Sequence, residues 1–176
     1  MPHSLIIGMT ESGKTSLAKE MARIYREQGI EVLVLDPLLD PDWPVDKVHE
    51  DPDEYMSQVF TKKKCALFID ESGEMIGRYS GVMGKLATRS RHYGHNAHFI
   101  VQRCAQLDKT VRDQCVYIYL FRVSKKDSET LADEYCDDML KESCNLNKLE
   151  FIRLSRFEDA EKMKLKFMNG KTNIST

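Results

Sequence analysis

The sequence is short of several things. No two cysteines stand in a C-x-x-C pair, and the count is odd: Cys65, Cys104, Cys115, Cys136 and Cys144. That argues against a paired-cysteine zinc site and against a disulfide framework. Cys65 and Cys115 open apolar runs and read as buried thiols, which fits a reducing, intracellular setting. No apolar run approaches the ~20 residues that cross a bilayer, and no signal peptide precedes the first apolar run, so a cytosolic protein is expected. Neither sign of charge dominates: 26 Lys and Arg against 28 Asp and Glu leave a net charge of −2. A uniformly basic coat for nucleic acid is excluded, but a local basic strip is not. Proline is sparse, and four of the five (Pro37, Pro41, Pro44, Pro52) crowd into Asp36–Pro52 with the only tryptophan, Trp43. That stretch reads as a loop rather than a linker. With 176 residues, no repeat and no low-complexity tract, a single domain over residues 1–176 is expected.

What is present is a set of short, continuous apolar runs: Leu5–Ile7, Val32–Leu35, Ala66–Ile69, Phe99–Val101 and Val116–Phe121. Runs that do not alternate fit strands covered on both faces. Between them lie helical patterns. In Thr15–Gln28 the residues Leu17, Ala18, Met21, Ile24 and Tyr25 share a face, and Gly29 closes the helix. Further helices are expected over Asp53–Lys62, Gly81–Tyr93, Leu107–Gln114 and Ser124–Tyr135, the last capped by Ser124. Strands alternating with helices predict an α/β fold with a mainly parallel central sheet flanked by helices. Near the end, Lys162-Met-Lys-Leu-Lys-Phe167 alternates strictly, which places three lysines on one face of a strand. With Leu149–Leu154 it predicts a C-terminal β-hairpin. The favoured reading is an edge strand protected by lysine; a lysine row that tracks a phosphate backbone is the sharper alternative.

Two motifs carry chemistry. Gly8, Gly13, Lys14 and Thr15 match G-x-x-x-x-G-K-T, between an apolar strand and an amphipathic helix. In that setting the backbone N–H groups from Thr10 through Glu11, Ser12 and Gly13 to Thr15, at the head of a helix continuing through Ser16, cradle phosphate. Lys14 would reach the β- and γ-phosphates of ATP, and Thr15 would place its hydroxyl on Mg²⁺. Glu11 is an anomaly there, a carboxylate amid a loop for polyanions; its side chain is expected to point outward, toward a subunit interface. The second motif, Leu67-Phe-Ile-Asp70-Glu71, ends an apolar strand in two acids, at the sheet edge where ligands sit. Asp70 would hold Mg²⁺ through water, and Glu71 would polarise the attacking water. An acid for water attack, and the poor lid offered by Ser72–Gly81, favour hydrolysis over a nucleotide kinase.

Gln102 ends the fourth run, beside the strand of Asp70 if the sheet is wound in the usual way. Its amide there can sense the γ-phosphate or the lytic water; a plain strand-end polar residue is the equal alternative. Arg89 and Arg91 are expected on the preceding helix, facing roughly opposite ways at about 100° per residue. Arg91, facing away from its own core, could reach a neighbouring subunit's nucleotide. For either arginine alone, a solvated surface residue is the commoner case. His92, His95 and His98 straddle Gly94 and cannot share a face, so no metal site is expected there.

The run Arg91–Arg103, then Thr110-Val-Arg112, then Phe121-Arg-Val-Ser-Lys-Lys-Asp-Ser-Glu-Thr-Leu131, resembles the FtsK/HerA superfamily of P-loop nucleic-acid motors. The family's R-x-x-G precedes a strand ending in Gln-Arg, as Arg91, Gly94 and Gln102-Arg103 do here. T-R-S-R-H-Y-G and Gln106–Arg112 look most like the genome-packaging ATPases of tailless, membrane-containing icosahedral viruses. The resemblance covers about residues 4–135 and leaves 145–170 as a terminal hairpin extension. It implies a RecA/FtsK-like fold and ATP hydrolysis driving double-stranded DNA into a capsid. It further implies a homo-oligomeric ring, commonly hexameric, with shared ATP sites. Partners would include capsid-vertex or membrane proteins, and the location would be host cytoplasm during assembly or the packaging vertex of the virion. Lys14 and Thr15 take the phosphate and Mg²⁺ roles, Asp70 and Glu71 the metal and lytic-water roles, and Gln102 the sensor role. Arg91 fits the trans arginine finger best, then Arg89, with Arg103 and Arg112 behind them. DNA contacts fall on Ser72–Gly81, with Arg78 and Tyr79, and on the lysine face of Lys162–Lys166. Glu11 departs from the family's more usual glycine. Phage assembly or secretion, or conjugation-type DNA transfer, are the alternatives on the same scaffold, with a nucleotide kinase or a non-enzymatic nucleotide-gated module behind them.

Overall fold

The computed structural model describes residues 2–70, 76–168 and 171–175. Among these, nine strands form one sheet. They are β1 (His3–Ile7), β2 (Val32–Leu35), β3 (Val48–His49), β4 (Ala66–Asp70), β5 (Asn96–Val101), β6 (Cys115–Leu120), β7 (Glu150–Ser155), β8 (Glu158–Met168) and β9 (Lys171–Ser175). The spatial order is β3-β2-β4-β5-β1-β6-β7-β8-β9. All pairings from β3 to β6 are parallel, and β7, β8 and β9 continue antiparallel. The mainly parallel α/β sheet and its C-terminal hairpin are thus both present.

Alternation along the buried strands sends side chains into two cores. Ile6, Val34, Phe68 and Ile100 pack with Leu17, Ala18 and Ala22 of helix α1 (Lys14–Glu27) on one face. Leu5, Ile7, Leu35, Leu67 and Phe99 pack on the other face with Tyr55 and Val59 of α2 (Pro52–Thr61) and Met83 and Leu86 of α3 (Ile76–Arg89). The same face carries Val111 of α4 (Lys109–Gln114) and Leu131 of α5 (Lys125–Tyr135). Because both faces are covered, the strands read as continuous apolar runs.

Several expectations hold to within a residue or two. Asp51 caps α2 by accepting the Asp53 and Glu54 N–H groups, each at 2.9 Å. Ser124 caps α5, accepting from Asp127 N at 3.2 Å. Gly29, at φ 74°, ends α1 in the left-handed region that glycine tolerates. Two expectations need correction. Helix α3 starts at Ile76, within the loop expected over Ser72–Gly81; burial of Met83, Leu86 and Ala87 outweighs the poor helix propensity of Gly81 and Gly84. And β8 is an edge strand only in its first half: β9 pairs along the outer side of its second half, from Lys164↔Ser175 to Met168↔Lys171. The three lysines of β8 are exposed, but Lys162 and Lys164 straddle Glu150 of β7 at 3.6 and 3.7 Å. That makes them ion-pair partners within the sheet.

Candidate nucleotide site

The loop from Gly8 to Gly13 sits at the carboxyl end of β1, between the ends of β5 and β6. Gly8 N–H donates to Val101 O (3.3 Å), and Met9 N–H donates to Arg122 O (2.7 Å). A Cβ on Gly8 would lie 2.5 Å from Phe121 Cβ, so only glycine allows this approach. Gly13 is the N-cap of α1 at φ 115° and supplies no side-chain cap; the first turn carries no acid. The leading N–H groups of α1 are therefore left for an anion. Ser12 Oγ is buried and without a partner among the described residues, another donor within the same loop.

Lys14 is buried, and its ammonium donates to Met9 O at 2.8 Å. Burial lowers its pKa, and Asp70 pulls it partly back up. An anion in the loop would give this ammonium a stronger partner than a neutral carbonyl. Thr15 Oγ1 donates to Asp70 Oδ2 at 3.4 Å. These two oxygens, at the ends of different elements, are the pair expected to hold Mg²⁺.

Asp70 ends β4 and is 5% exposed. Its pKa is pushed up to about 7, first by burial and next by the charge of Asp36, against the pull of Lys14 and Thr15. Asp36 was not singled out from the sequence. It follows β2 directly, and Leu35 pairs with Ile69, so Asp36 stands level with Asp70 on the next strand. Its carboxylate accepts from Leu38 N (2.9 Å), Asp40 N (3.3 Å) and Trp43 Nε1 (3.0 Å), which organises the proline-rich loop. Asp40 in turn pairs with Lys19 of α1 at 2.6 Å. Two carboxylates side by side at this edge form a site whose negative charge suits a divalent cation.

Gln102 follows β5, and β5 lies between β4 and β1, with Asp70↔Ile100 and Ile7↔Val101 in register. The structure thus brings four residues to one edge: Asp70 at the end of β4, Gln102 just after β5, and Lys14 and Thr15 at the start of α1, whose loop follows β1. Gln106 holds the turn there, its Oε1 accepting from Gln102 N (2.8 Å) and Arg103 N (2.7 Å). Glu71 lies outside the described residues, as do the side chains of Arg78 and Tyr79. Glu11 is exposed, at φ 61°, on the rim of a cavity of about 360 Å³ lined also by Gly13, Lys14, Thr15, Ser16, Lys148 and Leu149. A larger hollow, about 480 Å³, lies at the amino end of β2 among Arg26, Lys47 and Lys62, away from this chemistry.

The arginines separate by edge. Arg91 is not on the helix: α3 stops at Arg89, and Arg91 sits on a 3-10 turn, Ser90–Tyr93, so opposite faces of one helix do not describe the pair. Its guanidinium donates to the Gln114 carbonyl, just before β6 begins. That is the amino edge of the sheet, a strand length of roughly 20 Å from the loop. Arg91 and Arg89 are both exposed. Arg112 is buried in a bidentate pair with Glu134 (2.7 and 2.6 Å) and is removed as a finger candidate. Arg103 is exposed at the loop's own edge, 3.7 Å from Asp127. The histidines have separate roles: His95 accepts from Cys65 N at 3.0 Å, and His98 bonds Ser4 Oγ at 2.6 Å and stacks on Phe68.

No protein-family model matches the sequence, and no curated protein matches it. Solved structures do match. The genome-packaging NTPase B204 from Sulfolobus turreted icosahedral virus 2, in complex with AMPPCP, superposes with a TM-score of 0.74 at 14% identity, over 92% of this chain and 96% of that one. The pCW3 conjugation coupling protein TcpA, with ATPgS, gives 0.68 at 17% identity, over 92% of this chain and 59% of that one. The cytoplasmic domain of the type VII secretion ATPase EccC from Thermomonospora curvata gives 0.71 at 13% identity, over 93% of this chain and 25% of that one. The fold is that of these P-loop proteins, a mainly parallel sheet flanked by helices. In such a P-loop fold the phosphate loop and the acidic strand end must meet at one sheet edge, and here Thr15 and Asp70 do. Among the described residues, no helix is long and apolar enough to cross a membrane.

Proposed function

We propose that this chain hydrolyses ATP and uses the energy to move double-stranded DNA, as one subunit of a ring that packages a viral genome. One observation carries the hydrolytic part: Thr15 at the head of α1 meets Asp70 at the end of β4, with Lys14 beside Thr15 and Gln102 just after the neighbouring β5. The uncapped helix N-terminus and Lys14 bind the triphosphate and neutralise charge that develops during transfer. Thr15 and Asp70 hold Mg²⁺, which supplies further charge neutralisation when bound. Glu71, next after Asp70, orients the attacking water, and Gln102 senses the γ-phosphate. The likeness to a genome-packaging NTPase and a conjugation coupling protein, both solved with ATP analogues, supports this reading. Packaging is preferred over secretion and conjugation on the sequence runs T-R-S-R-H-Y-G and Gln106–Arg112.

The ring part draws on Arg91. At the amino edge it is too far from its own loop to assist there, so a role for it in hydrolysis would be on a neighbour's nucleotide. Mixing two inactive variants tests this. Arg91→Ala and Glu71→Gln subunits together should regain ATPase activity, because each lesion lies on a different side of a shared site. No recovery in any ratio would remove the trans finger. Phosphate release from ATP without an acceptor separates the hydrolase from a kinase, which would release almost none.

A further inference from the structure

The cavity beside the phosphate loop is built from two distant parts of the chain. Glu11, Gly13, Lys14, Thr15 and Ser16 form one wall, and Lys148 and Leu149, just before β7, form the other. We propose that the Lys148–Leu149 turn receives the sugar and base of the bound nucleotide, and that Leu149 sets nucleoside affinity. This rests on the nucleotide reading of the loop.

Direction is the first support. Asp70 ends β4 and Gln102 follows β5, both to one side of β1, whereas β6 and β7 lie to the other. The cation-binding end of a nucleotide belongs beside Thr15 and Asp70. Its sugar end then points away from β4 and β5, along the start of α1, toward the β7 side. The cavity lies there, and Ser16 lines it.

Construction is the second support. Leu149 is a β-carbon-bearing residue at φ 69°, a left-handed conformation that costs about 1–2 kcal/mol outside glycine. It is held on both sides: its N–H donates to Ser12 O at 3.0 Å, and its carbonyl accepts from Leu165 N at 2.9 Å. The turn is also closed by Asn147, whose N–H and side-chain amide donate to Glu150 Oε2 at 3.0 and 3.1 Å. Leu149 therefore arrives over Gly13 on a fixed backbone; a Cβ on Gly13 would lie 3.0 Å from Leu149 Cδ2. The half-buried Leu149 offers an apolar face to the flat side of a base, and the exposed Lys148 offers an ammonium to the phosphate nearest the sugar.

The experiment compares ADP with inorganic tripolyphosphate, which has the anionic chain but no nucleoside. Calorimetry would be run on the whole chain with Mg²⁺. Leu149→Gly and Leu149→Asn both suit a left-handed backbone, so both preserve the turn. Each should weaken ADP roughly tenfold, as expected for losing an apolar contact of leucine size, and leave tripolyphosphate within about twofold. Lys148→Ala should weaken ADP about threefold, as expected for one exposed charge. Unchanged ADP affinity in both Leu149 variants, or equal losses for ADP and tripolyphosphate in them, would overturn the wall while leaving the proposed function standing. Failure of the unaltered chain to bind either ligand would overturn both.

Discussion

Asp70 is held in a place that suits a metal ion and penalises the empty carboxylate. Its pKa of about 7 lies above that of an ordinary aspartate. Between about pH 4 and 7 the folded chain therefore binds more protons than the unfolded one, and stability falls as pH rises through that window. Asp70→Asn removes the penalty. In EDTA, its melting temperature should exceed that of the unaltered protein by roughly 5 °C or more near pH 8. Near pH 4 the two should nearly coincide, and thermal melts across pH check this. Nucleotide hydrolysis by the same variant should be lost. Gly8 gives a second test at this scale. A methyl there meets Phe121 Cβ and Ser12 Oγ at 2.5 and 2.8 Å, so Gly8→Ala should cost about 1–3 kcal/mol, read by urea denaturation. Some of these residues were legible in the sequence and some were not. Lys14 and Thr15 stand in a local pattern whose geometry the neighbouring chain enforces. Asp36 ends an apolar run just as Asp70 does, but its importance depends on β2 lying beside β4, which spacing alone does not state. Glu11 is exposed at the cavity rim.

At the scale of elements, capping was readable and helix extent was not. Ser124 before a helical pattern announces an N-cap, and the hydroxyl does accept from Asp127 N. Ser124→Ala should lower stability by about 1 kcal/mol, measured by chemical denaturation. Gly77 and Gly81 argued for a loop, yet α3 runs through them. The face that decides this, Met83 and Leu86, is set by packing on β4 and β5 rather than by local propensity. The lysine alternation of β8 predicted a strand correctly. The covering of that strand's second half depends on β9, whose short polar sequence carries no strong strand signal. Lys148 and Leu149 were missed for a similar reason: β7 returns antiparallel and delivers its leading turn to a loop at the far end of the chain.

At the scale of the whole molecule, the sheet divides into a parallel half that carries the phosphate chemistry and an antiparallel half that closes over it. The two edges have opposite offices. The carboxyl edge gathers the loop, Asp70, Asp36 and Gln102, and the amino edge presents Arg91. A chain arranged in this way is suited to head-to-tail association, in which one copy's amino edge meets the next copy's loop. The motor reading therefore makes activity depend on assembly and on the DNA it encloses. The most direct test is the steady-state ATPase rate, measured with and without duplex DNA beside the solution mass, with Lys14→Ala as the blank. A DNA-bound oligomer should hydrolyse ATP at least several-fold faster than the chain alone, and Lys14→Ala should show no activity in either state. A monomer whose ATPase rate is the same with and without duplex DNA would contradict the motor.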